Sequence, residues 1–311
     1  QNGPVSLTGG SFKSTSATMT TIGQWTVTSG VTFDHNSGTI QFSSSYNGAV
    51  AMAVDNEVYN HITFAGNVTT YTLTGSMNIQ GTTTLTTGAS YSCTINNGTL
   101  LASGNVVVTQ NGCAGSGTLK IVGSTNQSIT DAGGTYLPAL QIASTGGTVS
   151  FSGTLNVSGN YTYTSGTVDV GTSTLMVSPG YSKTITVTPG NITYNNFTIY
   201  SYDSTIGFAG GTMKVGGTLS LTTYSSTGCT VNNGTLAAYG DVVNSGGGCG
   251  AGTALVKVMG SGNQTVTGVS GAFFPTFELA STGGVVTYSG TLQFYGNYTH
   301  TSGTVNSGTS A

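Results

Sequence analysis

The chain has 311 residues, with five Lys or Arg and eight Asp or Glu, giving a formal net charge of −3. Charged residues are 4% of the chain, against about 25% in an average soluble protein, which excludes a surface kept dispersed by charge. The five cations are all Lys and form no cluster, which argues against nucleic acid and polybasic membrane contact, and the 36% hydrophobic content argues against disorder.

Residues 1–64 read as an incomplete copy of a longer repeat. Trp25-Thr-Val-Thr-Ser-Gly30 matches Tyr161-Thr-Tyr-Thr-Ser-Gly166, and Tyr59-Asn-His-Ile-Thr-Phe64 matches Tyr194-Asn-Asn-Phe-Thr-Ile199. Residues 65–200 form a full copy and 201–311 a nearly full one. Cys93-Thr-Ile-Asn-Asn-Gly-Thr-Leu100 returns as Cys229-Thr-Val-Asn-Asn-Gly-Thr-Leu236, a displacement of 136 residues, and Cys113 returns as Cys249. Farther on, Asn126-Gln-Ser-Ile-Thr130 returns as Asn263-Gln-Thr-Val-Thr267. The chain therefore holds about 2.3 copies, expected to form one continuous solenoid. Each copy has related halves. The step between halves is about 57 residues, as from Ile142 to Ile199, but 81 from Lys183 to Gln264, and the excess of 24 contains the cysteine segment. That excess reads as one extra turn of a coil.

Within each copy the sequence predicts strands of four to six residues with period-two alternation, such as Thr-Leu-Asn-Val157, Thr-Val-Asp-Val170 and Thr-Ile-Thr-Val187. Thr occupies outward positions and Val, Leu, Ile or an aromatic the inward ones, with Gly, Ser-Gly or Asn-Gly at the corners. Helical spacing is absent, and no apolar run approaches the roughly 20 residues of a spanning helix. Interchangeable short strands on a duplicated long period indicate a β-solenoid rather than a sandwich.

Strings such as Thr148-Val-Ser-Phe-Ser-Gly-Thr-Leu-Asn-Val-Ser-Gly159 and Ser165-Gly-Thr-Val-Asp-Val-Gly-Thr-Ser-Thr-Leu175 resemble the degenerate repeats of large extracellular surface proteins of adhesin or filament type. Archaeal sheath material is similar in composition. The resemblance implies an all-β fold, a parallel right-handed β-helix displayed outside the cell, and carries no shared catalytic motif.

Cys93 and Cys113 are 20 residues apart, as are Cys229 and Cys249. Twenty residues is about one coil, and neighbouring coils lie about 4.8 Å apart, within reach of a disulfide. Two bridges, Cys93–Cys113 and Cys229–Cys249, are expected, with free buried thiols as the alternative. No metal site is expected, since no His or third Cys lies near either pair.

The histidines and acids change identity between copies. His300 stands where Tyr163 and Val27 stand, an expected inward packing position; His61 aligns with Asn196, and His35 falls in a corner. Asp169 becomes Asn306, Asp131 becomes Gly268, Asp241 matches Asn105 and Glu278 matches Gln141. Asp55 and Glu57 read as a solvated turn. Glycosidases need paired carboxylates at one place, so no catalytic residue, cofactor or enzyme activity is expected. Ten sequons, at Asn67, Asn97, Asn126, Asn156, Asn160, Asn191, Asn196, Asn233, Asn263 and Asn297, are candidate glycosylation acceptors. The expected role is structural: a homopolymerising subunit of an extracellular filament or sheath. A surface adhesin or glycan-binding module is the alternative, with exposed tyrosines as its sugar contacts, and a polysaccharide-active enzyme comes third.

Overall fold

The computed structural model describes residues 3–44, 48–55, 57–67, 69–87, 93–209, 211–224, 228–308 and 310. Among these the chain is all β, with no helix, and its named strands pair in parallel with strands one coil away. It divides into two compact units, Gln1–Gly159 with Thr164–Asp169, and Asn160–Tyr163 with Val170–Ala311. Each is a parallel β-solenoid.

In the first unit a coil contributes three strands. Thr70–Thr74, Ser76–Ile79 and Thr83–Leu85 form one coil, and Cys93–Asn96, Thr99–Ala102 and Val106–Val108 form the next. Each strand pairs with its counterpart one coil on, as in Thr70↔Thr94, Ser76↔Thr99 and Thr83↔Val106. The second unit repeats the plan. Thr205–Phe208, Thr212–Val215 and Leu219–Thr223 pair with Thr230–Asn232, Thr235–Ala238 and Val242–Ser245.

The alternation read from sequence sets the core. In Thr118–Ile121 and Thr212–Val215 the first and third residues are half-buried and the second and fourth fully buried. Stacked coils thus superimpose like on like, Leu100 on Leu119 on Leu140 in one unit and Met213 on Leu236 on Val256 in the other. Fully burying each such side chain contributes about 1.5–3 kcal/mol, an upper range because the unfolded chain is itself partly collapsed. Buried Tyr hydroxyls find partners: Trp25 Nε1 donates to the Tyr59 hydroxyl at 3.0 Å, and the Tyr71 hydroxyl donates to Phe42 O at 2.9 Å. Burial pushes both phenols above their ordinary value.

Strand length departs from the expectation of four to six residues. Ala139–Val157 runs for 19 residues and Thr276–Gly290 for 15, because pairing with the previous coil continues around the corner. Glycine permits this. Gly147 bends at φ +64°, and a Cβ there would lie 2.3 Å from Thr125 C on the coil below.

A side chain at that corner therefore meets both the left-handed backbone penalty and a backbone clash. Gly147→Ala should lower unfolding stability by about 2 kcal/mol or more, read from urea midpoints. Gly133→Ala is the control: it has no atom within 4 Å of an added Cβ. It should change stability by less than about 0.5 kcal/mol.

Candidate functional site

The cysteines are where the coil length places them. Cys93 lies in register with Cys113 on the adjacent strand, and the two are bridged with a Cα–Cα distance of 4.4 Å. Cys229 and Cys249 are bridged at the same 4.4 Å in the second unit. All four are buried, so each bridge staples one coil to the next from inside. The staple contributes about 3 kcal/mol for a loop of this size in the chain-entropy view.

Polar corner residues form a second set of links. Asn126 Oδ1 accepts from Thr148 N at 2.9 Å, and its counterpart Asn263 accepts from Val285 N at 2.9 Å. Asn160 accepts from Thr186 N and Asn196 from Thr218 N, both at 2.8 Å. In every case an amide oxygen satisfies a backbone donor left over where the coil turns. The substitution of Asn105 by Asp241 keeps this role: Asn105 Oδ1 accepts from Ser128 N at 2.9 Å, Asp241 Oδ1 from Thr265 N at 2.7 Å.

Inward polar residues do the same work inside. Gln127 Nε2 donates to Ala102 O and Gly104 O at 3.1 and 2.8 Å, and Gln264 Nε2 donates to Ala238 O and Gly240 O at 3.4 and 2.5 Å. Ser144 and Ser281 Oγ each donate to a glycine carbonyl one coil back, Gly123 O and Gly260 O, at 2.8 Å. Sequence reasoning passed over these residues. Their identity between copies was the available signal, because a buried donor must keep its acceptor.

Several of the remaining acids, with His35 and His61, also sit in structural contacts. Lys257 lies directly opposite Glu278 and pairs with it at 3.1 Å, which with the Thr301 hydroxyl at 2.9 Å holds the carboxyl below the usual range. In the first unit Gln141 lies opposite Lys120 and donates to Thr164 Oγ1 at 3.0 Å. Asp34 caps Asn36 N at 2.8 Å and pairs with Lys13 at 3.3 Å, and its carboxyl is also held low, chiefly by the backbone bond. His35 Nδ1 accepts from Ser37 N at 3.0 Å, and His61 Nδ1 from Thr82 N at 2.8 Å. Asp55 N donates to Glu57 Oε2 at 2.8 Å.

His300 departs from expectation. It is exposed rather than packed inward, because the strand Tyr298–Asn306 is exposed along nearly its whole length. Its Nε2 lies 3.0 Å from Gly303 O.

Asp131 is the acid that sequence comparison undervalued. It is 2% exposed, and its Oδ1 accepts from Gly133 N, Thr135 N and Thr135 Oγ1 at 3.1, 3.2 and 2.8 Å. Oδ2 is buried and has no hydrogen-bond partner among the described residues. Burial raises its pKa, partly offset by those bonds. Among the described residues no group of three or more His, Cys, Asp or Glu could hold a metal.

The sequons divide by exposure. Asn97, Asn126, Asn160, Asn191, Asn233, Asn263 and Asn297 are exposed, and Asn67 and Asn196 are half-buried. Asn156 is buried, and its amide nitrogen, where a sugar would be joined, donates to Gly134 O at 3.2 Å.

Two outcomes follow from these contacts. Non-reducing peptide mapping should recover Cys93–Cys113 and Cys229–Cys249 and no other bridge; paired Cys93→Ala and Cys113→Ala should lower stability by about 3 kcal/mol. For Asp131 the folded chain keeps its proton to a higher pH than the unfolded chain, so stability falls as pH rises from about 3.8 through the raised value. The difference in urea midpoint between wild type and Asp131→Asn should therefore shift in favour of the variant as pH rises across that window. A difference constant with pH would refute the assignment. No protein-family model, curated protein or solved structure matches this chain.

Proposed function

We propose that the chain is a structural subunit of an extracellular filament or sheath that polymerises through solenoid ends and strand edges. The carrying observation is how one copy of the repeat meets another in the first unit. Thr70–Thr74 of the full copy lies on Ala49–Ala53 of the incomplete copy, in register at five positions. The same junction is made on the other faces by Val58↔Asn78 with Tyr59↔Ile79, and by Ile62↔Thr83. Copies that dock by backbone pairing inside one chain use contacts that a second chain bearing the same repeat also offers.

Two further features support the reading. The two disulfides fit an oxidising compartment, as outside the cell. The charge-poor surface suits a polymer held by backbone hydrogen bonds, since few ion pairs exist for salt to screen.

Electron microscopy of native material should show filaments or sheaths that persist in concentrated salt. Deleting residues 1–24 should leave a folded solenoid, by its β-rich circular dichroism, that no longer polymerises. Filaments of unchanged spacing from the truncated chain would rule out N-terminal strands as the joint.

A further inference from the structure

The second unit carries an open groove that the internal copies single out. It follows one column of strands across five successive coils, from Asp203 past Gly228 and Gly248 to Phe273 and Tyr295, and has a volume of about 320 Å³. Four coil steps at about 4.8 Å make it roughly 19 Å long. The Cys229–Cys249 disulfide lies at its floor, which fixes the floor before any ligand arrives.

The groove is where the two full copies differ in a directed way. Of the lining positions, Asn111 and Ala114 of the first copy become Gly247 and Gly250 in the second, while Gly115 becomes Ala251. At the same time Ser158 becomes Tyr295, and Ala65, Asn67 and Val68 become Tyr200, Tyr202 and Asp203. In the first unit Ser158 Oγ accepts from Gly115 N at 3.3 Å and donates to Leu137 O at 2.8 Å, which closes the corner. Tyr295, by contrast, is 72% exposed beside Phe273, with ring centroids 6.3 Å apart. Just before Asp203, Tyr202 stacks on Tyr224 at 4.7 Å and meets Tyr200 edge-on at 5.7 Å. Packing accounts for Gly250, whose added Cβ would lie 2.3 Å from Phe273 Cβ, but not for Tyr295, which is exposed and takes no part in the core.

The chemistry of the lining selects the ligand. Exposed rings on a rigid wall offer flat apolar faces, Asp203 offers a hydroxyl acceptor, and the glycine floor lets a ligand approach the backbone. Among the described residues Asp203 is the only charged one in the lining, so an anionic ligand would find repulsion and no counter-charge there. Thr205–Phe208 is paired on both sides, with Thr184–Thr188 and Thr230–Asn232, so this wall has no free edge to take up a peptide strand. We propose that this groove binds a neutral polysaccharide chain, with the apolar faces of its sugar rings against Tyr295 and Phe273 and its hydroxyls on Asp203.

Native electrophoresis of the full chain through gels containing soluble neutral polysaccharides (a β-glucan, an α-glucan and a mannan), with polygalacturonate as the anionic comparison, tests this. At least one neutral polymer should retard the chain and polygalacturonate should not. Tyr295→Ala should weaken retardation about tenfold, the worth of one aromatic contact. Gly228→Leu should do the same by filling the groove; an added Cβ there meets only Gly248 O, at 3.8 Å, so the coil tolerates it. Tyr181→Ala, an exposed tyrosine outside the lining, should leave retardation unchanged. Absence of retardation by all three neutral polymers, retardation by polygalacturonate alone, or undiminished retardation of both Tyr295→Ala and Gly228→Leu would overturn the proposal.

Discussion

Parallel backbone pairing between one coil and the next is the constraint on which the rest of each unit depends. Because pairing is parallel and in register, a residue always lies over its counterpart one coil away, so the side-chain pattern of one coil dictates that of its neighbours. Columns of Leu, Val and Ile result on the inside and rows of Thr on the outside. The same register puts Cys93 opposite Cys113 and Lys257 opposite Glu278 without any long-range design. Chain stability is then a sum of coil-on-coil steps, each satisfied mainly by its own neighbours.

Corners are where this scheme is weakest, since a turning backbone leaves donors and carbonyls without strand partners. The chain meets the need with short amides, hydroxyls and glycines rather than with charge. Asn126, Asn160 and Asn196 reach backbone N–H groups of the following coil, while Gln127 and Ser144 reach carbonyls of an earlier coil. Such groups keep the exterior neutral, so a very low charge content is compatible with corners whose backbone donors are hydrogen-bonded. It also means that contact between chains meets little electrostatic opposition.

Duplication makes the two full copies controls for each other. Where a residue changes but its contact survives, as from Asn105 to Asp241, the contact is what the fold requires. Where Ser158, which closes a corner, gives way to the exposed Tyr295, the change adds nothing to the core. The proposed filament and the proposed glycan groove are compatible on this architecture, because the first would use coil ends and the second a lateral corner column.

The sequence by itself determined the strand periodicity and the pairing of both disulfides, because these depend on local alternation and on coil length, which short-range patterns encode directly. Tertiary structure decided what depends on which coil lies beside which. The burial of Asp131, the exposure of His300 and the column joining Asp203 to Tyr295 across more than ninety residues are of this kind. An acid that becomes Gly268 in the next copy, as Asp131 does, gives no sign of burial until the neighbouring backbone is placed over it. A tyrosine on an outward position reads as ordinary surface until the corner beside it is found to be glycine, since proximity across coils is set by the register of pairing and not by separation along the chain.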